Sequence, residues 1–333
     1  MHRKRTSLED IAEKTGFSVP SVSQILNDKP CNFSSEATRK LVKDTAAELG
    51  YIPNFGYKVM LGEKTKTVSI IISQQRLKEE EHIQELILML MDDFEARGYT
   101  SYISTFPLDP AENIEKINGL ISRGVEHFVF LGSPMGHVEI EETLRKNEKT
   151  YIGFNSIFSR NIDSDSCFGV ETLIKHFLKT GRKNIKLLME PCGMRIQALK
   201  NIFPEIPEKE ILKKYVIQNK VPDFSLWNFR ESCFKSGYDA TARALKIDKT
   251  IDGILYLSDY FALGGAKYLL EKGYEISRDI SIAGFNYTDT VRYSPFPISS
   301  VEHDTKTLSS KLSANVSGWK DHSETVKPFL HIR

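Results

Sequence analysis

The sequence predicts an α/β protein with a small all-helical head and a larger body of two open parallel sheets flanked by helices. Three observations carry this. The chain has 333 residues, too long for one typical core. Residues 6–50 carry helix start and stop signals and no strand-like run. From Thr67 onward short apolar runs alternate with helical stretches.

The head is read first. Ser7-Leu-Glu-Asp10 is a helix start, with Ser7 as N-cap and acidic residues in the first turn. Leu8, Ile11, Ala12 and Thr15 fall at i, i+3, i+4 and i+7, so they share one packed face. Gly16 ends that helix. Ser18 caps a second helix at once, and Pro20 is tolerated in its first turn, where N–H groups lack internal partners. Val19, Val22 and Leu26 are its expected buried face, with Ser21, Gln24 and Asp28 turned away. A third helix is expected from about residue 36 to 49, with Leu41, Val42, Ala46 and Leu49 inward. Two short helices joined by a tight glycine turn and supported by a third make a helix-turn-helix. The alternative on spacing alone is a small bundle with no DNA role.

The charge of the N-terminal part is compatible with contact to phosphates or with a merely solvated basic tail. Residues 1–66 hold 11 Lys/Arg and 8 Asp/Glu, or +3, against 34 and 36, or −2, in the remainder. After Gly50-Tyr51-Ile52-Pro53 comes a short segment, residues 54–61, followed by Gly62 and a polar run. Alone it is too short to be a stable helix. It reads either as a plain linker or as a hinge that orders when Met60 or Leu61 wedges into a minor groove.

The body's strands are expected at 68–73, 100–104, 127–131, 150–154, 185–189, 215–218, 253–257 and 280–283. Helices are expected at 80–97, 170–180, 236–246 and 260–272. Eight strands are compatible with one barrel or two sheets. The long irregular stretches near 155–167 and 286–300 favour two sheets with crossings between them, and a cleft that closes around a ligand. Gly264-Gly265 lies inside a helical pattern, where close packing explains it.

No G-x-G-x-x-G, P-loop or G-x-S-x-G pattern occurs, and the histidines show no metal spacing, so no enzyme, cofactor or metal is expected. Cys31, Cys167, Cys192 and Cys233 form no C-x-x-C pair and read as reduced thiols of a cytoplasmic protein. No apolar run approaches the ~18 residues of a membrane span, and no signal peptide follows the basic start.

The assembled residues resemble the LacI/GalR family of bacterial transcription repressors. The head carries Ser7-x-x-Asp10-Ile11-Ala12-x-x-x-Gly16-x-Ser18-x-x-x-Val22-Ser23-x-x-Leu26-Asn27, then Ser35-x-x-Thr38-Arg39 and Glu48-Leu49-Gly50-Tyr51-x-Pro53-Asn54. The body carries Asp165-x-x-x-Gly169, Thr180-Gly181-Arg182-x-x-Ile185, Ser236-Gly237-Tyr238, Ser258-Asp259-x-x-Ala262-Leu263-Gly264, Asp279 through Phe285 and Pro297 through Val301.

The resemblance implies a helix-turn-helix head over 1–53, a hinge over 54–66 and a two-lobed, periplasmic-binding-protein-like body over 67–333. Lobe N would take about 67–160 and 292–320, and lobe C about 161–291 and 321–333. It implies a homodimer reading two halves of double-stranded operator DNA, under control of a small-molecule effector, a sugar or related metabolite, with no membrane partner. Base-reading positions fall on Val19, Pro20 and Gln24, of which Gln24 is suited to adenine N6/N7. Ser7, Ser18, Ser21, Ser23, Asn27, Tyr51 and Asn54 fall at phosphate-side or capping positions. In the hinge, Tyr57 is an expected DNA-binding position, the wedge position falls on Met60, and Leu61 is its neighbour. Effector positions fall on Arg195, Asp259, Asn155, Gln74, Gln75 and His82. Ser232 stands where relatives stack an aromatic ring, and Trp227, Phe229 or Phe234 are the substitutes in reach. The loop after Asn27 is longer than usual in the family, and Gly56-Tyr57-Lys58 depart from its usual hinge. The readings that compete are a regulator set by a partner protein or corepressor, and a ligand-binding α/β protein whose head no longer binds DNA.

Overall fold

The computed structural model describes residues 6–27, 34–52, 56, 59, 62, 64–107, 109–190, 193–219, 228–318 and 320–333. The chain divides into two compact units, Met1–Lys64 and Thr65–Arg333.

The first unit contains helices α1 (Leu8–Thr15), α2 (Val19–Leu26) and α3 (Glu36–Glu48). Ser7 and Asp10 form a reciprocal capping box, the Ser7 N–H donating to Asp10 Oδ2 at 2.7 Å and the Asp10 N–H to Ser7 Oγ at 3.3 Å. Gly16, at φ 74°, takes the left-handed conformation that ends α1. Ser18 and Ser35 cap the next two helices through their side chains. The core is Ile11, Val22, Ile25, Val42 and Ala46, sealed by Leu8, Phe17, Leu26, Leu49 and Tyr51. Two inward positions need correcting. Leu41 is 50% exposed, because Val42, Thr45 and Ala46 set the inner face and Leu41 sits about 100° of helix rotation away from Val42. On α2 it is Ile25, three residues after Val22, that is fully buried, while Val19 stays partly exposed.

The second unit has two six-stranded sheets. The first sheet contains β1 (Thr67–Ser73), β2 (Thr100–Phe106), β3 (His127–Leu131), β4 (Thr150–Phe154), β5 (Arg160–Ser164) and β11 (His322–Val326), in the order β11-β5-β4-β3-β1-β2, all parallel. Its helices are α4 (Gln74–Glu79), α5 (Glu81–Ala96), α6 (Pro110–Ser122), α7 (His137–Lys146) and α14 (Thr305–Asn315). The second sheet contains β6 (Ile185–Leu188), β7 (Val216–Ile217), β8 (Gly253–Tyr256), β9 (Ser281–Phe285), β10 (Ser299–Glu302) and β12 (Phe329–His331), in the order β12-β10-β9-β8-β6-β7, with only β12 antiparallel. Around it stand α8 (Ser166–Lys179), α9 (Gly193–Ile202), α10 (Glu208–Tyr215), α11 (Phe229–Ile247), α12 (Asp259–Glu271) and α13 (Asp289–Arg292). Both sheets put the second strand outside the first, the doubly wound order that leaves a crevice beyond the C-terminal strand ends.

Strands β1, β3, β4 and β8 are buried on both faces, as central parallel strands are. Each sheet therefore has a core on either side. Phe94, Leu90 and Leu308 lie on one face of the first sheet, and Phe128, Phe130 and Ile140 on the other. Gly237 and Gly264 let α11 and α12 touch backbone to backbone. A Cβ on Gly264 would lie 1.8 Å from the Phe234 carbonyl oxygen, and one on Gly237 2.0 Å from that of Phe261. The packing role expected for Gly264 is thus met.

The chain passes between the lobes three times: from β5 to α8, from β10 to α14, and from β11 to β12. The expected lobe boundaries are corrected accordingly. Residues 160–164 and 322–326 belong to the first sheet, and 299–302 to the second. Four strands escaped the sequence reading: β5, β10 and β11 are rich in polar residues, and β12 is only three residues long. β5, Arg-Asn-Ile-Asp-Ser, is buried nonetheless, and the Arg160 guanidinium donates to the carbonyls of Tyr151, Lys320 and Asn315. In β10, Ser299 and Ser300 are buried.

Candidate functional site

On the head, α2 presents a neutral surface with neither acidic nor basic residues in its end turns. Pro20 and Gln24 are exposed, and Val19 and Ser21 partly so. Ser18 and Ser21 hydroxyls bond each other at 2.9 Å. Asn27 ends α2, its side-chain amide donating to the Ser23 carbonyl at 2.8 Å and lying 3.4 Å from Ser23 Oγ. Ser7, Ser18 and Asn27 thus shape the helix ends. Tyr51 packs against the core, and burial, with Glu9 nearby, pushes its phenol upward. Asn54, Tyr57, Met60 and Leu61 lie outside the described residues, as do Cys31, Cys192 and Trp227.

In the second unit a cavity of about 530 Å³ opens between the lobes at the C-terminal strand ends. The first lobe contributes Arg76, Glu80, Glu81, His82, Phe154, Asn155 and Asp163. The second contributes Arg195, Phe229, Cys233, Tyr260, Phe285 and Asn286, with His303 on a crossing segment. Three expected effector residues, His82, Asn155 and Arg195, are brought together here.

Arg195 lies over the Phe285 ring, 4.0 Å from guanidinium carbon to ring centroid, and both its Nη atoms donate to the Leu257 carbonyl at 3.2 and 3.1 Å. Arg76 is held by Glu80 through two hydrogen bonds of 3.0 and 2.9 Å. Asn155, with φ 50°, and Asn286, with φ 94°, end β4 and β9 in left-handed backbone, a conformation that asparagine tolerates better than most residues. Asp163 accepts from the Asn155 N–H at 2.6 Å, and burial raises its carboxyl.

His82 and His303 stack in the cavity wall. His82 Nε2 stands 3.5 Å from Glu80 Oε2, and His303 Nε2 lies 3.2 Å from Asn286 Oδ1. Neither Nδ1 has a hydrogen-bond partner. Burial, with Arg76 beside it, pulls the His82 pKa down to about 3, and burial also holds His303 well below its usual range.

Three expected effector residues are placed elsewhere. Asp259 does not line the cavity; its oxygens accept from the Ser300 hydroxyl and the Thr288 N–H, each at 2.7 Å. It braces β10 and the start of α13 against α12, and burial lifts its pKa to about 7. Gln74 faces a separate surface hollow beside Phe106 and Lys116. Ser232 lies one turn into α11 and leaves the wall to Phe229 and Cys233. Of the proposed aromatic substitutes, Phe229 lines the cavity. The side chain of Gln75 lies outside the described residues. The sequence reading missed Arg76, Glu80, Glu81, Asn286 and His303; the signal available for Asn286 was its place directly after the apolar run of β9.

No cluster of three metal-ligating side chains and no helix able to span a membrane occurs among the described residues.

Comparison with known proteins matches this two-part organisation. Residues 7–54 match a model of bacterial regulatory proteins, lacI family, and residues 174–318 match a periplasmic binding protein-like domain. The HTH-type transcriptional regulator RegA of Clostridium saccharobutylicum is 25% identical over 293 residues, covering 84% of this chain and 82% of that protein. Among solved structures, the lac repressor dimer bound to operator and the anti-inducer ONPF is similar in fold, with a TM-score of 0.76 at 17% identity over 99% of this chain and 98% of that one. The regulator CelR in complex with cellobiose is similar over 99% of each chain, at 18% identity and a TM-score of 0.66.

Proposed function

Because the chain belongs to the LacI family of bacterial regulatory proteins, DNA-binding transcription regulators, we propose that it is a dimeric repressor whose operator affinity is set by a small polyhydroxylated effector in the interlobe cavity. The observation that carries the effector reading is the cavity wall. It combines aromatic faces (Phe154, Phe229, Phe285) with polar groups from both lobes (Asn155, Asp163, Arg195, Asn286), the mixture that apolar ring faces and hydroxyls require. Cellobiose in the similar CelR structure supports this class.

DNA reading falls to the exposed edge of α2. Gln24 offers an amide that pairs with adenine, and Val19 and Pro20 offer apolar contact to a thymine methyl. Ser18 and Ser21 at the N-terminus of α2 suit phosphate. Effector binding shifts DNA affinity only as far as it prefers one arrangement of the lobes, typically ~1–3 kcal/mol.

The test is fluorescence anisotropy on duplex DNA from upstream of the protein's own gene, at several salt concentrations and with a panel of mono- and disaccharides. Salt-sensitive binding that one sugar weakens supports the reading. Arg195→Ala is expected to keep operator binding and lose that response. Binding to no duplex, or an intact response in the variant, would overturn it.

A further inference from the structure

One carboxylate crosses the mouth of the cleft. Glu81 is the first residue of α5, in the first lobe, where a negative charge suits the helix N-terminus. Its side chain engages the second lobe instead of capping its own helix. Glu81 Oε1 accepts from the Tyr260 hydroxyl at 2.7 Å, and Oε2 accepts from the Asp289 N–H at 2.9 Å. Arg230 adds a third contact, with Nη1 3.7 Å from Glu81 Oε1, and its Nη2 donates to the Lys78 carbonyl at 3.1 Å. The Arg230 guanidinium also stands 5.5 Å from the centroid of the Tyr260 ring.

These contacts draw the starts of three second-lobe helices, α11, α12 and α13, onto the α4–α5 junction of the first lobe. Glu81 and Tyr260 both line the cavity, so the contact lies at its rim. Burial and the neighbouring Glu81 push the Tyr260 phenol well above its usual range, so it stays protonated and remains a donor. Both Glu81 oxygens are filled by groups from the other lobe, and opening the cleft breaks all of these bonds together.

We propose that Glu81 is an interlobe latch, a positioning residue that holds the cleft closed through Tyr260, Asp289 and Arg230 and thereby sets how tightly the cavity retains an effector. This rests on the reading of the cavity as the effector site, but it concerns the closing of the lobes and not the contact with ligand. A protein that spends less time closed binds its ligand more weakly by the same factor.

Hydrogen–deuterium exchange of the full chain without added sugar tests it, comparing wild type, Glu81→Gln, Tyr260→Phe and the double variant. Glu81→Gln is expected to speed exchange about five-fold in both facing segments, residues 76–90 and 286–293. Tyr260→Phe is expected to act in the same direction and less strongly. The double variant should match Glu81→Gln, because both changes act through one carboxylate. Unchanged exchange at 286–293 in Glu81→Gln, an increase confined to α5, or fully additive effects in the double variant would each overturn the latch. Arg230→Met, which leaves α5 untouched, is expected to speed exchange in both segments. Unchanged exchange there would also count against the latch. The measurement needs no ligand, so failure of the latch and failure of the effector reading are told apart.

Discussion

The imidazoles of His82 and His303 stack with centroids 4.6 Å apart and 29° between their planes, one on α5 of the first lobe and the other on the segment that crosses back to it. Phe154 meets His303 edge-on at 6.1 Å. The pair lines the cavity as neutral rings, and protonating either would bring a charge close to the Arg76 guanidinium, and for His303 to that of Arg195 as well.

That neutrality makes stability depend on pH. An unfolded histidine takes a proton near pH 6.5, whereas folded His82 does so only near 3. The unfolded chain therefore binds more protons in between, and the stability present above pH 6.5 is lost as pH falls toward 3. From pH 7 to 5, His82 alone is expected to withdraw about 2 kcal/mol. His82→Phe keeps the stack and removes this loss. Urea midpoints at the two pH values check it, and an unaltered difference between them would refute it.

Asp259 acts in the opposite sense. Its folded pKa, about 7, lies above the ordinary 3.8, so the folded state binds more protons between those values. Stability from this group falls as pH rises from about 4 to 7, by roughly 2 kcal/mol between pH 5 and 7. The two residues nearly cancel in the wild type. Asp259→Asn is expected to steepen the acid loss and His82→Phe to lessen it, with His303 still contributing, so the slopes of the two variants should lie on opposite sides of the wild type.

Gly264→Ala should destabilise the body by about 2 kcal/mol or more, because its methyl would enter the Phe234 backbone and neither helix can yield alone. A thermal melt followed by circular dichroism gives the answer. Gly181→Ala is the control: it has open space around it but a φ of 90°, so strain alone acts there.

Ile25→Ala removes a side chain that is 1% exposed from a five-residue core, at an expected cost of about 2–5 kcal/mol. Operator binding should fail while sugar binding to the body persists. Loss of both functions would contradict the division into two units.

How much of this was legible follows from residue type. The central strands were readable because both their faces are buried, so Val68–Ile72 and Phe128–Leu131 appear as apolar runs. β5, β10 and β11 were not, since Arg160, Ser300 and Glu324 satisfy their polar groups through tertiary bonds that no local pattern reveals. Ser7, Gly16 and Ser18 were readable as caps because capping is local. The cavity was half legible. Arg195, in the first turn of α9, and Asn155, directly after β4, were positions the family resemblance named, but Glu81 and Asn286 carry no such signal and His303 reaches the cavity only through a crossing. Asp259 was misplaced because its sequence neighbourhood says nothing of Ser300, 41 residues on, which takes its carboxylate inward.

The triple passage of the chain between its lobes has a consequence for the far end of the molecule. β11 and β12, only a few residues apart, form the outer border of different sheets. Removing the last dozen residues would unzip one margin from each lobe simultaneously, and a single protease cut at any one crossing would still leave the halves tethered by the remaining two.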